Sequence, residues 1–451
     1  MKLPLTPPSF ELLFNDAMEQ GADHMMRILQ YSKMTDLYGK YRHWDTLRHL
    51  PPPEGFSLNG WWLGMKWTRK TRYKTLPLAD KNNVPFVIAD PDMILRDLHL
   101  IDQRAAGNLA GDGEIINDEF QSVFLVKSLV NEAINSSQLE GAATTRKIAK
   151  EMLSHGRAPR DKSEQMIFNN YKAMQFIRER KGDALTPDLI FTLHRMLTEK
   201  TLDNPEDAGR LRKDSDKIVV SDGRDGELLH NPPAAHELPG RIDRLCNFAN
   251  MDSIEYFIHP LVKAIILHFT IGYDHPFVDG NGRLARAIFY WYVISKGYWL
   301  MEYISISRII KMAPAKYARA FLYSETDDND LTYFAVHQLN VIKKAIRLLN
   351  EYIARQRKEI SGAEDLLKTN PQLAGRLNYR QLSIIRHALR HPGYVYDIRE
   401  HQRYQGVSYN SARTDLHDLA DKFNIFKKVK IGKTYRFRAP MDIKENLSKA
   451  G

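Results

Sequence analysis

Helical periodicity is the feature of this sequence that most restricts its fold, because it continues with few breaks from about residue 117 to residue 355. Apolar residues recur there three and four positions apart, which is the spacing of a helix with one buried face. The predicted helices of this region, together with one that precedes it, cover residues 91–107, 117–135, 146–153, 163–179, 186–199, 238–249, 260–273, 282–295 and 332–355. The chain is therefore expected to be mainly α.

One stretch inside the helical region has a different pattern. The run Lys217-Ile218-Val219-Val220 is rich in β-branched residues, and residues 222–226 contain two Asp-Gly pairs. Such pairs favour tight turns between paired strands. A small β-hairpin is therefore predicted among the helices.

The last part of the chain changes character again. The pattern predicts helices at 381–389, 398–404 and 409–422, the third with Ser408 as its N-cap, and short strands at 425–429 and 435–437. This order is typical of a winged helix-turn-helix domain. The sequence thus predicts four parts: a mostly helical N-terminal region (1–112), a central helical domain (113–355), a linker (356–377) and a winged-helix domain (378–451).

Composition narrows the class of protein. Hydrophobic residues make up 43% and charged residues 27% of the chain, which is ordinary for a soluble globular protein. The single cysteine, Cys246, excludes an intramolecular disulfide, and the N-terminus lacks the apolar stretch of a signal peptide. A cytoplasmic protein without a membrane partner is expected. The net charge of +10 is compatible with nucleic-acid or nucleotide partners and does not decide between them.

The segment HPFVDGNGRLAR, residues 275–286, concentrates residues suited to phosphate chemistry. Gly280 and Gly282 flank Asn281 directly before a run with helical spacing, so backbone N–H groups at a helix N-terminus can approach an anion. Asn281 could donate its side-chain N–H into the same cradle. Arg283 and Arg286 are three positions apart and lie on nearly one helix face. Two guanidinium groups there fit a polyphosphate better than a single phosphate.

The other residues of the segment complete this chemistry. Asp279 beside the cradle is explained if it holds Mg²⁺, which takes one or two carboxylates together with phosphate oxygens. His275 is the residue type that can accept a proton from a hydroxyl near neutral pH. Phe277 is expected to anchor the loop in the core. A calcium-binding EF-hand loop is excluded, because Arg283 and Tyr290 occupy positions that need oxygen ligands.

The segment resembles the signature of the Fic family, His-x-Phe-x-(Asp/Glu)-Gly-Asn-Gly-Arg-x-x-Arg, at every specified position. The resemblance covers roughly residues 117–355, with similar residues at His259-Pro260, His268, Gly209-x-x-Arg212 and Asp330-Leu331-Thr332. It implies an all-helical domain that transfers AMP from Mg-ATP to a Ser, Thr or Tyr hydroxyl of a protein.

The resemblance also implies a role for each residue of the motif. His275 would be the general base, and Asp279 would bind Mg²⁺. The α- and β-phosphates would be held by Gly280, Asn281, Gly282 and Arg283, and the γ-phosphate by Arg286. The strand Lys217-Ile218-Val219-Val220 would be a flap that aligns a segment of the target protein by β-augmentation.

A second motif precedes the first. Ser136 and Glu140 are four positions apart at the end of a predicted helix (about 117–141), and by themselves they read as a solvated helix end with Gly141 as its C-terminal cap. They resemble the inhibitory motif of one Fic subclass, Ser/Thr-x-x-x-Glu-Gly/Asn. That resemblance implies an ion pair between Glu140 and Arg286 which keeps the γ-phosphate out. The same glutamate leaves open a reverse reaction that removes AMP from modified proteins.

The predicted winged helix could contact DNA or a protein. Arg413 lies in the candidate recognition helix, and the basic residues of the wing are Lys427, Lys428, Lys430, Lys433, Arg436 and Arg438. Such a cluster attracts DNA phosphates. Asp415, Asp418 and Asp421 in the same helix weaken a groove-reading role. A DNA-binding regulator with a nucleotide-sensing domain is the alternative to an enzyme, and a homodimer is compatible with either.

Overall fold

The computed structural model describes residues 2–30, 32–105, 118–223, 225–251, 255–368, 373, 375–431 and 434–449. The chain divides into two compact units. The first consists of Met1–Gly107, Glu132–Ala143 and Gln165–Ala345, and the second of Asn108–Asn131, Thr144–Glu164 and Ile346–Gly451. The Gly-Asp-Gly break at residues 111–113 and the predicted helix start at residue 117 lie outside the described residues.

The described residues in the N-terminal part of the first unit form several helices and a β-hairpin. The sequence pattern predicted a mostly helical region and, at residues 91–107, the last of these helices, but it did not predict the hairpin. Their bounds are α1 (Phe10–Glu19), α2 (Ala22–Gln30), α3 (Trp44–Leu47), α4 (Leu58–Lys70), β1 (Lys74–Ala79), β2 (Pro85–Ile88) and α5 (Asp92–Ala105). The strands pair antiparallel. Trp61 and Trp62 of α4 are buried in a local core. Arg69 is also buried, where it donates to the carbonyls of Met34 and Arg42. The side chains of Trp61, Trp62 and Arg69 therefore stabilise the fold of this region.

The rest of the first unit is a helical assembly built on two buried helices. The helices that lie in it, wholly or (for α6, α8 and α15) in part, are α6 (Asp118–Leu139), α8 (Lys162–Glu179), α9 (Pro187–Thr198), α10 (Leu238–Asn250), α11 (Pro260–Asp274), α12 (Asn281–Ser295), α13 (Ile306–Met312), α14 (Pro314–Thr326) and α15 (Thr332–Lys368). Nearly every residue of α11 and α12 is buried, and the two helices pack against each other. A helix that is apolar on all sides is stable only inside a core. The loop of residues 275–280 between them is held at both ends by this packing.

The predicted hairpin is present, but its first strand is shorter and lies later than expected. Strand β3 is Val220–Ser221 and pairs antiparallel with β4 (Leu228–His230). The expectation of a strand over Lys217-Ile218-Val219 is wrong. Lys217 has a left-handed φ of 49° because it caps the 3₁₀ turn Asp214–Asp216. Turn chemistry thus outweighs the β-propensity of the branched residues.

The second unit contains α7 (Arg146–His155) and a C-terminal α/β arrangement. The C-terminal elements are α16 (Tyr379–Arg390), β5 (Val395–Tyr396), α17 (Ile398–Gln405), α18 (Tyr409–His417), β6 (Lys427–Ile431), β7 (Thr434–Arg438) and α19 (Ile443–Lys449). The strand order is β5-β7-β6, and both pairs are antiparallel. The Ser408 hydroxyl accepts from Ser411 N–H at 3.1 Å and caps α18 as predicted.

Two boundaries in this region differ from the expectation. The helix predicted to end at residue 355 continues to Lys368, so the first part of the segment expected to be a linker is helical. The third predicted helix of the C-terminal region ends as α-helix at His417 and continues as a π-helical turn, Asp418–Lys422. Within the described residues, no helix has both the length and the apolar character that a membrane crossing requires.

Candidate active site

The loop between α11 and α12 presents His275 in a defined protonation state. His275 ends α11 in the left-handed conformation, with φ 44°. Its Nδ1 lies 2.8 Å from the carbonyl oxygen of Gly272, so this nitrogen carries the hydrogen and donates it. Nε2 is then the nitrogen that can accept a proton. Burial lowers the pKa of His275, which keeps the ring neutral at pH 7.

Arg212 binds the backbone carbonyls at the start of this loop. Its Nε donates to the carbonyl oxygen of His275 at 2.7 Å, and its backbone N–H donates to that of Pro276 at 2.9 Å. The guanidinium also reaches the carbonyl of Asp274. A buried cation thus satisfies the carbonyls at the C-terminus of α11, where a positive charge is favoured.

Asn281 closes the loop with its side chain. Its Nδ2 donates to the carbonyl of Phe277 at 2.8 Å, and its Oδ1 accepts from the Phe277 N–H at 3.0 Å. The Phe277 ring is fully buried. The amide nitrogen has two hydrogens and Phe277 uses one of them, so donation of the other to a phosphate stays a prediction. The backbone N–H of Asn281 is a further donor at the same end of α12.

Two glycines allow the close approach of neighbours at the start of α12. Gly280 has φ 86°, and a Cβ there would lie 2.8 Å from Thr198 Cγ2. A Cβ on Gly282 would lie 2.2 Å from Glu140 Oε1. Because Leu284 N–H makes the first helical bond, to Gly280, the N–H groups of residues 281–283 have no helical acceptor. Free N–H groups at a helix N-terminus are suited to bind an anion.

Arg283 and Asp279 form a pair at the mouth of this site. Arg283 is buried and donates from Nη1 to the carbonyl of Leu197 at 2.9 Å, while its Nη2 lies 3.2 Å from Asp279 Oδ2. The Asp279 side chain is 49% exposed. Within the described part of the chain, no cluster of three or more His, Cys, Asp or Glu could hold a metal alone. One exposed carboxylate fits Mg²⁺ only when phosphate oxygens supply further ligands, which is the usual coordination of this ion.

His194 of α9 orients the loop, although the sequence analysis did not single it out. Its Nδ1 accepts from the Gly209 N–H at 2.8 Å, so its Nε2 carries the hydrogen and donates to the carbonyl of Asp279, also at 2.8 Å. The ring stacks on Phe277 with centroids 3.7 Å apart. Burial lowers the pKa of His194 to about 4, so the ring stays neutral near pH 7. Its two hydrogen bonds then select this tautomer. The Gly209-x-x-Arg212 pattern was the available signal, because Gly209 binds His194 and Arg212 binds the loop.

Arg286 is the second arginine of the motif, and α6 occupies its guanidinium. Its Nη2 donates to Glu140 Oε1 at 2.8 Å, and its Nε donates to Ser136 Oγ at 2.9 Å. Burial alone would lower the pKa of Arg286, but Glu140 raises it. The arginine side chain is 3% exposed and the glutamate side chain 27%. The predicted contact between Glu140 and Arg286 is therefore present, and Gly141 follows it with a left-handed φ of 91°.

The same face of α6 carries a third anchoring residue, Glu132. It is buried, and its Oε2 accepts from the Ser305 hydroxyl at 2.6 Å and from the Ser307 N–H at 3.3 Å. The Ser307 hydroxyl donates to its Oε1. Residues 132, 136 and 140 are spaced by four and share one helix face. Sequence reasoning missed Glu132, because a lone Glu in a helix is usually on the surface.

The flap hairpin is attached beside the C-terminus of α11. His230, the last residue of β4, is buried, with Nε2 2.7 Å from the carbonyl of Tyr273 and Nδ1 2.7 Å from Glu325 Oε2. It pairs with Val220 in β3. Val219 is 51% exposed, and Lys217 is exposed as well. The hairpin thus holds a short exposed edge next to the helix that ends in His275.

Part of this chain is similar in sequence to a known protein family. Residues 184–293 match the Fic/DOC family. A protein adenylyltransferase Fic of Nematostella vectensis is 33% identical over 108 residues, which are 24% of this chain and 22% of that protein. A protein adenylyltransferase fic-1 of Caenorhabditis elegans is 24% identical over 208 residues, which are 45% of this chain and 38% of that protein. The chain thus matches well under half the length of these relatives.

A solved structure of a Fic family protein from Desulfovibrio desulfuricans aligns with a TM-score of 0.48 and 18% identity, over 77% of this chain and 94% of that chain. The family match contains His194 and the whole of residues 275–286. It does not reach Ser136 and Glu140.

Proposed function

We propose, because this chain carries a Fic domain, that it transfers AMP from Mg-ATP to a Ser, Thr or Tyr hydroxyl of a protein, including its own. The observation that carries the proposal is the placement of His275. Its Nε2 is free to accept a proton beside the anion-binding end of α12, and Arg283 and Arg286 project from the same end. The names of the two sequence relatives support AMP as the transferred group.

The reaction follows from these positions. The target hydroxyl gives its proton to Nε2 of His275, and its oxygen attacks the α-phosphorus. A new O–P bond forms, the bond between the α-phosphorus and the bridging oxygen breaks, and pyrophosphate leaves. The N–H groups of residues 281–283 and the Arg283 guanidinium stabilise the charge on the phosphates. Mg²⁺ held by Asp279 and the phosphates would neutralise part of that charge.

Glu140 acts as a brake in this proposal. Arg286 can hold the γ-phosphate only when its Nη2 is released from the carboxylate, which lies 2.8 Å away. A carboxylate at that place also repels the phosphate. ATP that binds while the pair is intact cannot take the productive position. His194 and Arg212 take no part in the brake and serve to orient the loop.

The flap would present the target segment to His275. Val220 lies in the short strand β3, and its neighbour Val219 is exposed. An extended peptide can add to such an edge through main-chain hydrogen bonds. This mode requires few side chains of the target, so it agrees with modification of exposed loops and sets no sequence preference.

Labelled ATP tests the proposal directly. Wild type, Glu140→Gly and Glu140→Gly/His275→Ala are incubated with Mg²⁺ and either α- or γ-labelled ATP, and label on protein is measured. We expect label from the α-phosphate only, strongest in Glu140→Gly and absent without His275. Label from the γ-phosphate would identify phosphate transfer. Label from neither in any variant would contradict AMP transfer, and loss of label from a pre-modified protein would favour the reverse reaction.

For the C-terminal elements we propose a winged helix that binds duplex DNA. Two of the acids that weaken a groove-reading role, Asp415 in α18 and Asp421 in the turn after it, are paired with cations of the same domain. Asp415 is buried and accepts from Arg380 and His401, and these bonds lower its pKa to about 2 although burial alone would raise it. Asp421 pairs with Lys428 at 2.8 Å.

The exposed face of α18 then has a different character. It consists of Tyr409, Asn410, Arg413 and Thr414, which are residue types that contact base edges and phosphates. Lys427, Lys430, Arg436 and Arg438 on the neighbouring strands are also exposed, and Lys433 lies outside the described residues.

Binding of the full chain to a random duplex, measured between low and physiological salt, tests this proposal. Arg413→Gln and Lys430→Gln should each reduce the slope of log affinity against log salt by about one. Affinity that is absent at low salt, or that is equal in these variants, would favour a protein partner.

A further inference from the structure

The second unit contains a cavity of about 350 Å³ that no part of the proposed function uses. It lies among α16, β5 and α17, and Lys127 of α6 and Tyr352 of α15 also line it. Its volume is in the range of sites that hold small molecules, roughly 300–1,000 Å³. The chemistry of its walls indicates what kind of molecule would fit.

Two buried polar groups on the walls lack a partner. Gln405 is 1% exposed, and within the described residues its Oε1 has no hydrogen-bond partner. Arg386 has a buried Nη1 that is likewise unpartnered. A buried acceptor or donor without a partner destabilises a fold. One molecule that offers a hydrogen to Gln405 and a negative oxygen to Arg386 would satisfy both.

Positive charge accumulates at the same end of the cavity. Lys127 Nζ lies 4.4 Å from the centre of the Tyr404 ring. Burial acts to raise the pKa of Tyr404, yet Lys127, Arg386 and Lys150 together lower it. Three cations therefore lie within electrostatic reach of one phenol. Lys150 has its own pKa lowered by burial and by the neighbouring cations Arg146 and Lys127. An anion placed among them would relieve this repulsion.

The acidic residues that line the cavity are already engaged. Glu400 Oε1 accepts from the Tyr394 hydroxyl at 2.9 Å, and Asp397 Oδ1 accepts from the Arg399 N–H at 2.8 Å as the N-cap of α17. Asp397 also faces Arg436 at 3.7 Å. The contacts of these two carboxylates in the described residues are thus with Tyr394, Arg399 and Arg436. The cationic end is thus left for a ligand.

The remaining wall is aromatic. The rings of Tyr394 and Tyr396 are 4.8 Å apart, and that of His387 is 5.6 Å from Tyr396. Flat faces of this kind favour a planar ring over an aliphatic chain. We propose that the cavity binds an aromatic small molecule with one anionic group, its anion on Arg386 and Lys127 and its ring against the tyrosines. This site is independent of AMP transfer.

Calorimetric titration of the full chain tests the proposal with 4-hydroxyphenyl phosphate, 4-hydroxybenzoate and inorganic phosphate. The hydroxyl of each aromatic probe supplies the hydrogen for Gln405 Oε1. Saturable binding of one of the two aromatic anions is expected, and the stronger of the two identifies a phosphate or a carboxylate as the anion. Inorganic phosphate should bind far more weakly because it has no ring. Arg386→Gln should weaken binding at least about tenfold, as loss of a charge-assisted bond does. Arg399→Gln, which removes an exposed arginine of the same region, should leave it unchanged.

Two further variants test whether the ligand binds in this cavity and not at α12, and whether a loss of affinity comes from misfolding. Arg286→Ala removes a cation from the α12 site and should not change the affinity. Lys127→Gln should reproduce the loss seen in Arg386→Gln, with an unchanged melting temperature in the absence of ligand. The proposal is overturned if neither aromatic anion binds saturably up to millimolar concentration. Equal affinity in wild type and Arg386→Gln would overturn it as well, and would leave only water in the cavity.

Discussion

Arg286 donates to Glu140 Oε1 at 2.8 Å from one nitrogen and to Ser136 Oγ at 2.9 Å from another. Both acceptors come from one face of α6, so the guanidinium is held by a charge and by a neutral group at the same time. Only the charge conflicts with a phosphate. The two contacts can therefore be separated by substitution.

Ser136→Ala should raise AMP transfer less than Glu140→Gly does. Both contacts are hydrogen bonds of a charged guanidinium, each of which contributes about 1.5–3 kcal/mol, or roughly tenfold or more. Removal of the hydroxyl loosens the arginine but leaves the negative charge of Glu140 in place, whereas Glu140→Gly also removes the charge that repels the γ-phosphate. Initial rates of α-label incorporation at low ATP measure both. Equal activation by the two variants would show that the brake acts through helix position and not through charge.

Glu132→Gln should also raise basal transfer, although Glu132 does not touch Arg286. The amide keeps the size of the side chain, but its NH₂ faces the hydroxyl donors of Ser305 and Ser307, so one anchor of α6 is lost. We expect a rise smaller than that of Glu140→Gly. In the double variant Glu132→Gln/Glu140→Gly, transfer should be no faster than in Glu140→Gly alone. An additive gain there would place Glu132 in a different role.

Gly282→Ala should abolish activity and not relieve the brake. A Cβ at this position would lie 2.2 Å from Glu140 Oε1 and must displace that carboxylate. The same methyl group covers the N–H groups that hold the phosphates. Binding of ATP to Glu140→Gly and to Glu140→Gly/Gly282→Ala, measured by calorimetry, distinguishes the two effects. Tight binding in the double variant would refute the phosphate cradle.

His194→Ala should weaken Mg-ATP binding while the target KM stays the same. The ring accepts from the Gly209 N–H and donates to the Asp279 carbonyl, and without it Asp279, the proposed Mg²⁺ ligand, is no longer oriented. Residues that orient a metal ligand typically change affinity about 10–100-fold. His236→Ala, at an exposed histidine of the same unit, is the matched control. A loss confined to kcat would indicate that His194 acts on the chemical step.

The pH dependence of transfer should reflect the buried position of His275. Its folded-state pKa is lowered from the ordinary value of 6.5. The ring is therefore neutral, and able to accept a proton, at pH values where an exposed histidine is already protonated. In Glu140→Gly the acid limb of kcat should have its midpoint below pH 6.5, because loss of the Glu140 charge removes an influence that raises this pKa. A midpoint at or above 6.5 would argue for another base.

The local patterns of the sequence predicted the parts of the fold that depend on neighbours along the chain. The bounds of α11 and α12 agree with their apolar spacing, and Ser408 caps α18, because these features need only a few consecutive residues. Lys217 shows the limit of this reasoning. Its run of β-branched neighbours favours a strand, yet the preceding turn is closed by contacts of Asp216 with Arg210 and the Lys213 N–H.

The candidate site, like the fold, was predicted from the sequence only in part. The motif located the loop, but the partner of each polar atom depends on distant residues. Asn281 was expected to donate to a phosphate, and that stays a prediction. Its two bonds to Phe277, four residues away, were not foreseen, although a buried loop must satisfy its own backbone groups. His194 and Glu132 were missed, since their partners at residues 279 and 305–307 are brought close only by packing. No periodicity in α9 or α6 marks them.

The unequal exposure of the Arg286–Glu140 pair has a kinetic consequence. The Arg286 side chain is buried, whereas the Glu140 side chain is partly exposed to water. Glu140 can therefore rotate about its own side-chain bonds and leave the arginine in place, once its 2.8 Å bond to Arg286 is broken. Opening of this kind requires no movement of a helix. Basal activity would then measure how often the glutamate occupies its outward rotamer, and a partner protein could set that occupancy simply by capturing a carboxylate at the surface.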